Sequence, residues 1–93
     1  MSLLRFGDPI PVTHGTAMVV ALDIAPGSFL DGRTVATGIG HMEGATAVAV
    51  LRGEEMLLAR GPTGLAGGDQ LIAVATPEGH EHLQELAGSP EGA

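Results

Sequence analysis

The 93-residue chain has no cysteine, no lysine, no tryptophan and no tyrosine, and only two phenylalanines. Without cysteine there is no disulfide framework and no thiolate to act as nucleophile or metal ligand. Without lysine, the positive charge rests on Arg5, Arg33, Arg52 and Arg60 alone, and the formal net charge is −7. No basic stripe exists to displace counterions from a nucleic acid, and an anionic membrane surface is disfavoured for the same reason. No stretch approaches the ~20 apolar residues of a membrane span, and the N-terminus lacks the apolar stretch of a signal peptide. Direct membrane insertion is therefore not expected. A cysteine-free chain is compatible with a reducing cytosol.

What is present is small and apolar. Hydrophobic residues make up 44% of the chain, and alanine is the commonest of them. Each buried alanine removes little apolar area from water, so an alanine-rich core stabilises less than a leucine and phenylalanine core of equal length. The length allows one domain with a thin core. The expectation is that a second chain completes part of the apolar surface. A chain of this size that opens in turn-rich sequence also suits a piece of a longer protein.

Residues 1–16 read as an irregular lead-in, because Gly7, Pro9, Pro11 and Gly15 block a helix and the prolines favour extended backbone. Ala17 to Ile24 alternates with period two, as a strand does, and stops at Pro26-Gly27. Asp31 is placed to cap a short helix opening at Gly32-Arg33-Thr34, with Leu30, Val35 and Ile39 on its buried side and Gly38 and Gly40 weakening its end. Ala45 to Arg52 forms a second strand, with Val48 and Val50 on one face and Ala45, Ala47, Ala49 and Leu51 on the other. Both faces are apolar, the mark of a central strand. Gly53-Glu54-Glu55 turns the chain into a third strand, Met56 to Arg60. The glycine-rich loop 61–68 leads to a fourth, Gln70 to Thr76. Thr76-Pro77-Glu78 then opens a helix that ends near Leu86. The order β-α-β-β-β-α predicts an α+β domain over 17–88, a small mixed β-sheet with helices packed on it, and a mobile tail over 89–93.

Side chains that carry chemistry are few and scattered. His80 and His82 stand two apart on the predicted helix and diverge by about 200°, so they cannot chelate together; His14 and His41 are the remaining imidazoles. Three or four ligands are needed for a metal site, and none is assigned. Gly38 to Gly44 resembles a dinucleotide loop but lacks the G-x-G-x-x-G spacing, and Gly61 to Asp69 has no Lys-Ser/Thr pair of a P-loop. Ser2, Ser28 and Ser89 lie in turns or tails, so no catalytic triad can be built. Asp23 and Asp31 form a carboxylate pair by composition only, and Asp31 is better explained as a cap. Met18, Met42 and Met56 suit core filling. No catalytic residue is assigned, and the domain is not expected to be an enzyme.

One ordered set of residues does resemble a known family. Pro26, Gly27, Ser28 and Leu30, then Gly32-Arg33-Thr34, then Gly44, Val48, Val50 and Arg52, then Gly68-Asp69 with Leu71, Ile72 and Val74 are similar in order and spacing to the TrkA-C domain, the C-terminal lobe of the RCK/TrkA proteins. The resemblance spans roughly residues 17–87. It implies a cytoplasmic regulatory module of potassium or other cation transport systems, a homodimer working with a membrane-embedded channel or transporter subunit. It also implies a small effector, such as a nucleotide or cyclic dinucleotide, bound at the dimer cleft. Arg52 matches the region that contributes to that cleft and is the one residue carried over, as an anion anchor. The competing role for Arg52 is a strand-end arginine paired with Glu54 or Glu55.

Overall fold

A computed structural model describes residues 10–12 and 17–88. Its strands are β1 (Ile10–Val12), β2 (Ala17–Asp23), β3 (Ala45–Arg52), β4 (Glu55–Leu58) and β5 (Gln70–Ala75), and its helices are α1 (Val35–Gly38) and α2 (Pro77–Ala87). The five strands form one sheet in the order β1-β2-β5-β3-β4. The architecture is the expected α+β one. Three residues of the predicted lead-in join the sheet as β1, paired with β2. The rest of 1–16, with His14, and the tail over 89–93 lie outside the described residues.

The sheet is wholly antiparallel rather than mixed. β2 and β3 run the same way, but β5 inserts between them and pairs antiparallel with both. β5 therefore holds the centre. Leu71 and Ala73 on it are fully buried and Ala75 nearly so, while Gln70, Ile72 and Val74 alternate onto the other face.

The register of β3 departs from the sequence expectation at one residue. Ala47 stands opposite Ala73, but Ala49 stands opposite Ile72, so Val48 is an extra residue in a β-bulge. A bulge resets the two-residue alternation. Ala45 and Ala47 face the helices upstream of it; Val50 and Arg52 do so downstream, with Val50 fully buried. Val48 and Val50 thus do not share a face: Val50 is in the core and Val48 is 43% exposed. The third strand is also shorter than expected, ending at Leu58.

One core cluster forms on the helix-covered side. It joins Val20 and Leu22 of β2, Val50 of β3, Leu71, Ala73 and Ala75 of β5, and Leu83 and Ala87 of α2 with Ile24, Leu30, Ile39 and Leu65 from the connections. Each large side chain so buried contributes about 1.5–3 kcal/mol. α1 is a single turn. Its cap is Thr34, whose hydroxyl accepts from the Thr37 N–H while Thr37 reaches back to the Thr34 N–H. Asp31 is not the cap. It lies three residues ahead of Thr34, and its carboxylate is taken by loop amides. Leu30 and Ile39 are buried as the pattern predicts.

α2 is capped by Thr76 with Pro77 in its first turn, and it ends at Ala87. Its N-terminus lies against the loop before β3: Gly44, at φ +86°, accepts the Thr76 N–H at 2.7 Å. Gly79 is fully inside this contact, and a Cβ there would overlap the Gly44 carbonyl. Helix propensity alone would make Gly79→Ala stabilising by about 1 kcal/mol. The close approach reverses the sign, and a net loss of about 1–3 kcal/mol is expected. Urea unfolding should show it, with the solvent-open Gly53→Ala losing less.

Candidate functional site

Three features outside the core repay attention: a clamp of loops around Arg52, a cleft between the helices, and the uncovered face of the sheet.

The clamp begins with the bulge, which turns Arg52 at the end of β3 toward the helix side. There its Nε and Nη2 donate to the two carboxylate oxygens of Asp69 at 2.9 and 2.7 Å, and Nη2 also donates to the Gly64 carbonyl at 3.1 Å. The Asp69 side chain is 4% exposed and that of Arg52 45%. Asp69 further accepts the Ala66 N–H. The carboxylate that Arg52 hydrogen-bonds is therefore Asp69 across the loop, not the adjacent Glu54 or Glu55. Asp31 works alongside. One of its oxygens accepts the Gly27 N–H at 2.8 Å and the other the Gly67 N–H at 2.9 Å, tying the turn after β2 to the loop before β5. Gly67 must be glycine, since a Cβ would come within 2.6 Å of the Pro26 Cα.

The Arg52 hydrogen bonds hold the Asp69 carboxyl below the ordinary aspartate range, with help from the Ala66 amide. The Gly27 and Gly67 amides do the same for Asp31, against partial desolvation and the like charge of Asp69. The guanidinium of Arg52 is shifted upward in return, chiefly by its hydrogen bond to Asp69. The clamp binds the glycine turns that carry the family resemblance.

A cleft of about 220 Å³ opens on the helix side, lined by Phe29, Thr37, Gly38, His41, Met42, His82 and Leu86. His82 and Leu86 are four apart on α2 and share a face. Phe29 is 47% exposed and held by Arg33, whose guanidinium lies 3.9 Å from the ring centre and whose Nε donates to the Phe29 carbonyl at 2.8 Å. The structure thus brings His41 and His82 to one cleft while His80 stays outside it. Among the described residues, no three His, Cys, Asp or Glu side chains gather as a metal site would need. Asp23 accepts from Gln70 Nε2 at 3.3 Å, separately from the Asp31 clamp. A second cleft of about 290 Å³ lies where the loop before β3 meets the sheet, lined by Ala17, Gly44, Ala45, Thr46 and Val74 among others. Met42 borders both clefts.

The third feature is the sheet face turned away from the helices. By register it carries Val19 and Ala21 of β2, Ile72 and Val74 of β5, Leu51 of β3, and Met56 and Leu58 of β4. Neither α1 nor α2 covers it. Met56 is 61% and Leu58 56% exposed, and with Val48 they are three of the four large hydrophobics most open to solvent; the fourth is Phe29. The alternation had shown strands apolar on both faces. The missing information was that both helices would pack on the same side. The cleft gave a weaker signal, the spacing of His82 and Leu86, and its other walls come from distant loops.

A family model described as the TrkA-C domain matches residues 19–88. The match takes in β2 from its third residue through α2, together with every residue of the clamp and of the first cleft. A search of the curated proteins finds no match to the chain.

The clamp makes a pH prediction. Asp31 and Asp69 release their protons more readily folded than unfolded, so below the ordinary aspartate range, near pH 3.9, the unfolded chain binds more protons. Stability is then complete above that pH and falls as the pH drops through the lower folded values. Urea unfolding between pH 2.5 and 6, on the order of that window, should show an acid branch that Asp69→Asn flattens. Asp69→Ala at pH 7 should cost about 1.5–3 kcal/mol.

Proposed function

The chain belongs to the TrkA-C domain family, whose members are regulatory domains of potassium and other cation transport systems, and from that membership we propose a non-enzymatic regulator that works as a homodimer through its uncovered sheet face. The observation that carries the dimer is that face. A monomer seldom leaves so continuous an apolar surface open unless it binds something. At a net charge of −7, two copies repel each other over most of their surface. The open face has Asp23 as its sole acid by register among the described strand residues. An apolar face is also self-complementary, as a two-fold contact requires.

The regulated partner is a membrane-embedded cation channel or transporter subunit, on the same chain or a separate one, and the domain acts at its cytoplasmic side. No helix of the described residues is long and apolar enough to cross a membrane, so this reading gives the domain no transport path of its own. A small effector, by family resemblance a nucleotide or cyclic dinucleotide, biases the dimer between two arrangements. It does so only by as much as its affinity differs between them. Arg52 is the proposed anion anchor, and an effector that drew it away from Asp69 would loosen the loop clamp.

A second reading, a structural dimerisation domain without ligand, rests on the same face and differs only in having no effector. Calorimetry against nucleotides separates the two, since saturable binding lost in Arg52→Ala excludes the structural reading. For the dimer itself, sedimentation equilibrium should give twice the chain mass at tens of micromolar, a typical range for a modest interface. Met56→Glu with Leu58→Glu should give the monomer mass with unchanged circular dichroism. A wild-type monomer at high concentration would refute the dimer. For the transport reading, cells lacking the segment that encodes this domain should show altered rubidium uptake, changed in its regulation but not abolished.

A further inference from the structure

We propose that the cleft between α1 and α2 is a binding site for a small aromatic or heteroaromatic carboxylate, held within a single copy of the chain. The inference rests on the sensor reading for its purpose only, because the binding it describes needs neither a dimer nor a transport partner.

The walls select the ligand. Phe29, Met42 and Leu86 supply its large apolar side chains, and Phe29 is the only phenylalanine, tyrosine or tryptophan among the described residues. That ring is nearly half exposed. It is also fixed rather than free, because Arg33 stacks on it and anchors to its own carbonyl. A preorganised exposed ring loses little entropy when a second ring packs against it.

The polar groups select the charge. His41 and His82 line the cleft, and each imidazole carries a ring N–H donor. Among the described residues no carboxylate lines the cleft, although the chain carries eleven acids. A planar ring on Phe29 would let a carboxylate reach the imidazoles, where charge-assisted hydrogen bonds are the strong ones. The volume of about 220 Å³ lies below the ~300–1,000 Å³ of sites for drug-sized ligands. It suits one ring with one charged group.

The test is an amide NMR titration of the full chain with benzoate, benzamide and acetate. Benzoate should bind saturably, with shifts confined to residues around 29, 37–42 and 82–86. Benzamide, which keeps the ring, and acetate, which keeps the charge, should each bind at least about tenfold more weakly, the factor expected from losing one charge-assisted hydrogen bond or the stacked ring. Phe29→Leu and His82→Gln should each weaken benzoate by a similar factor while keeping the dispersed spectrum of the folded chain. Phe29 is exposed, so its variant stays informative if His82→Gln unfolds. No saturable benzoate binding, shifts spread over the surface, or equal binding of benzamide would overturn the proposal. The Met56→Glu, Leu58→Glu monomer should bind benzoate as the wild type does, so failure of the dimer and failure of the cleft are separate results.

Discussion

The single extra residue at Val48 decides what the two faces of this sheet carry. Upstream of the bulge, odd-numbered residues of β3 face the helices; downstream, even-numbered ones do. An unbroken strand would turn Val50 out of the core and Arg52 away from Asp69. The largest apolar side chain of β3 on the helix side, and the arginine that ties the glycine loops together, both depend on this one irregularity. Met56 and Leu58 are exposed on β4, the edge strand beside the bulged one.

The Arg52–Asp69 pair extends that constraint to the connections. A carboxylate with 4% exposure is tolerated only because a guanidinium fork and a backbone amide satisfy it. Asp31 performs the same service for Gly27 and Gly67. With so few large side chains, the domain holds its loops by these polar ties as much as by its core. It then leaves its spare apolar surface in two places, the open sheet face and the ring of Phe29. In a chain this short of aromatic residues, those two places are the ones to which the proposed dimer and the proposed ligand are assigned.

Much of the fold was legible in the sequence because its signals are local. Period-two alternation marks Ala17–Asp23 and Gln70–Ala75, and Thr76-Pro77 marks the start of α2. The ordered glycine turns carried the family. What escaped depends on contacts far apart in the chain. Asp31 was read as a helix cap because caps are local, yet one of its partners, Gly67, lies 36 residues away. The bulge leaves no mark in ATAVAVLR, where both alternations are apolar. The sheet read as mixed because nothing local says that β5 returns between β2 and β3. The carboxylate that meets Arg52 escaped for the same reason, because Asp69 sits across the loop rather than in the adjacent turn. The cleft is the hardest case, since its walls come from a turn, a one-turn helix, a loop and the face of α2.

The central claim is that two copies meet through the uncovered sheet face. The most direct measurement is an isotope-filtered NMR experiment on a mixture of labelled and unlabelled chains, which reports only contacts between copies. The account predicts intermolecular contacts from the Met56, Leu58, Ile72 and Val74 methyl groups. Intermolecular contacts from Leu83, Leu86 or other α2 groups instead, or none at all at a concentration where the wild type sediments as a dimer, would contradict it.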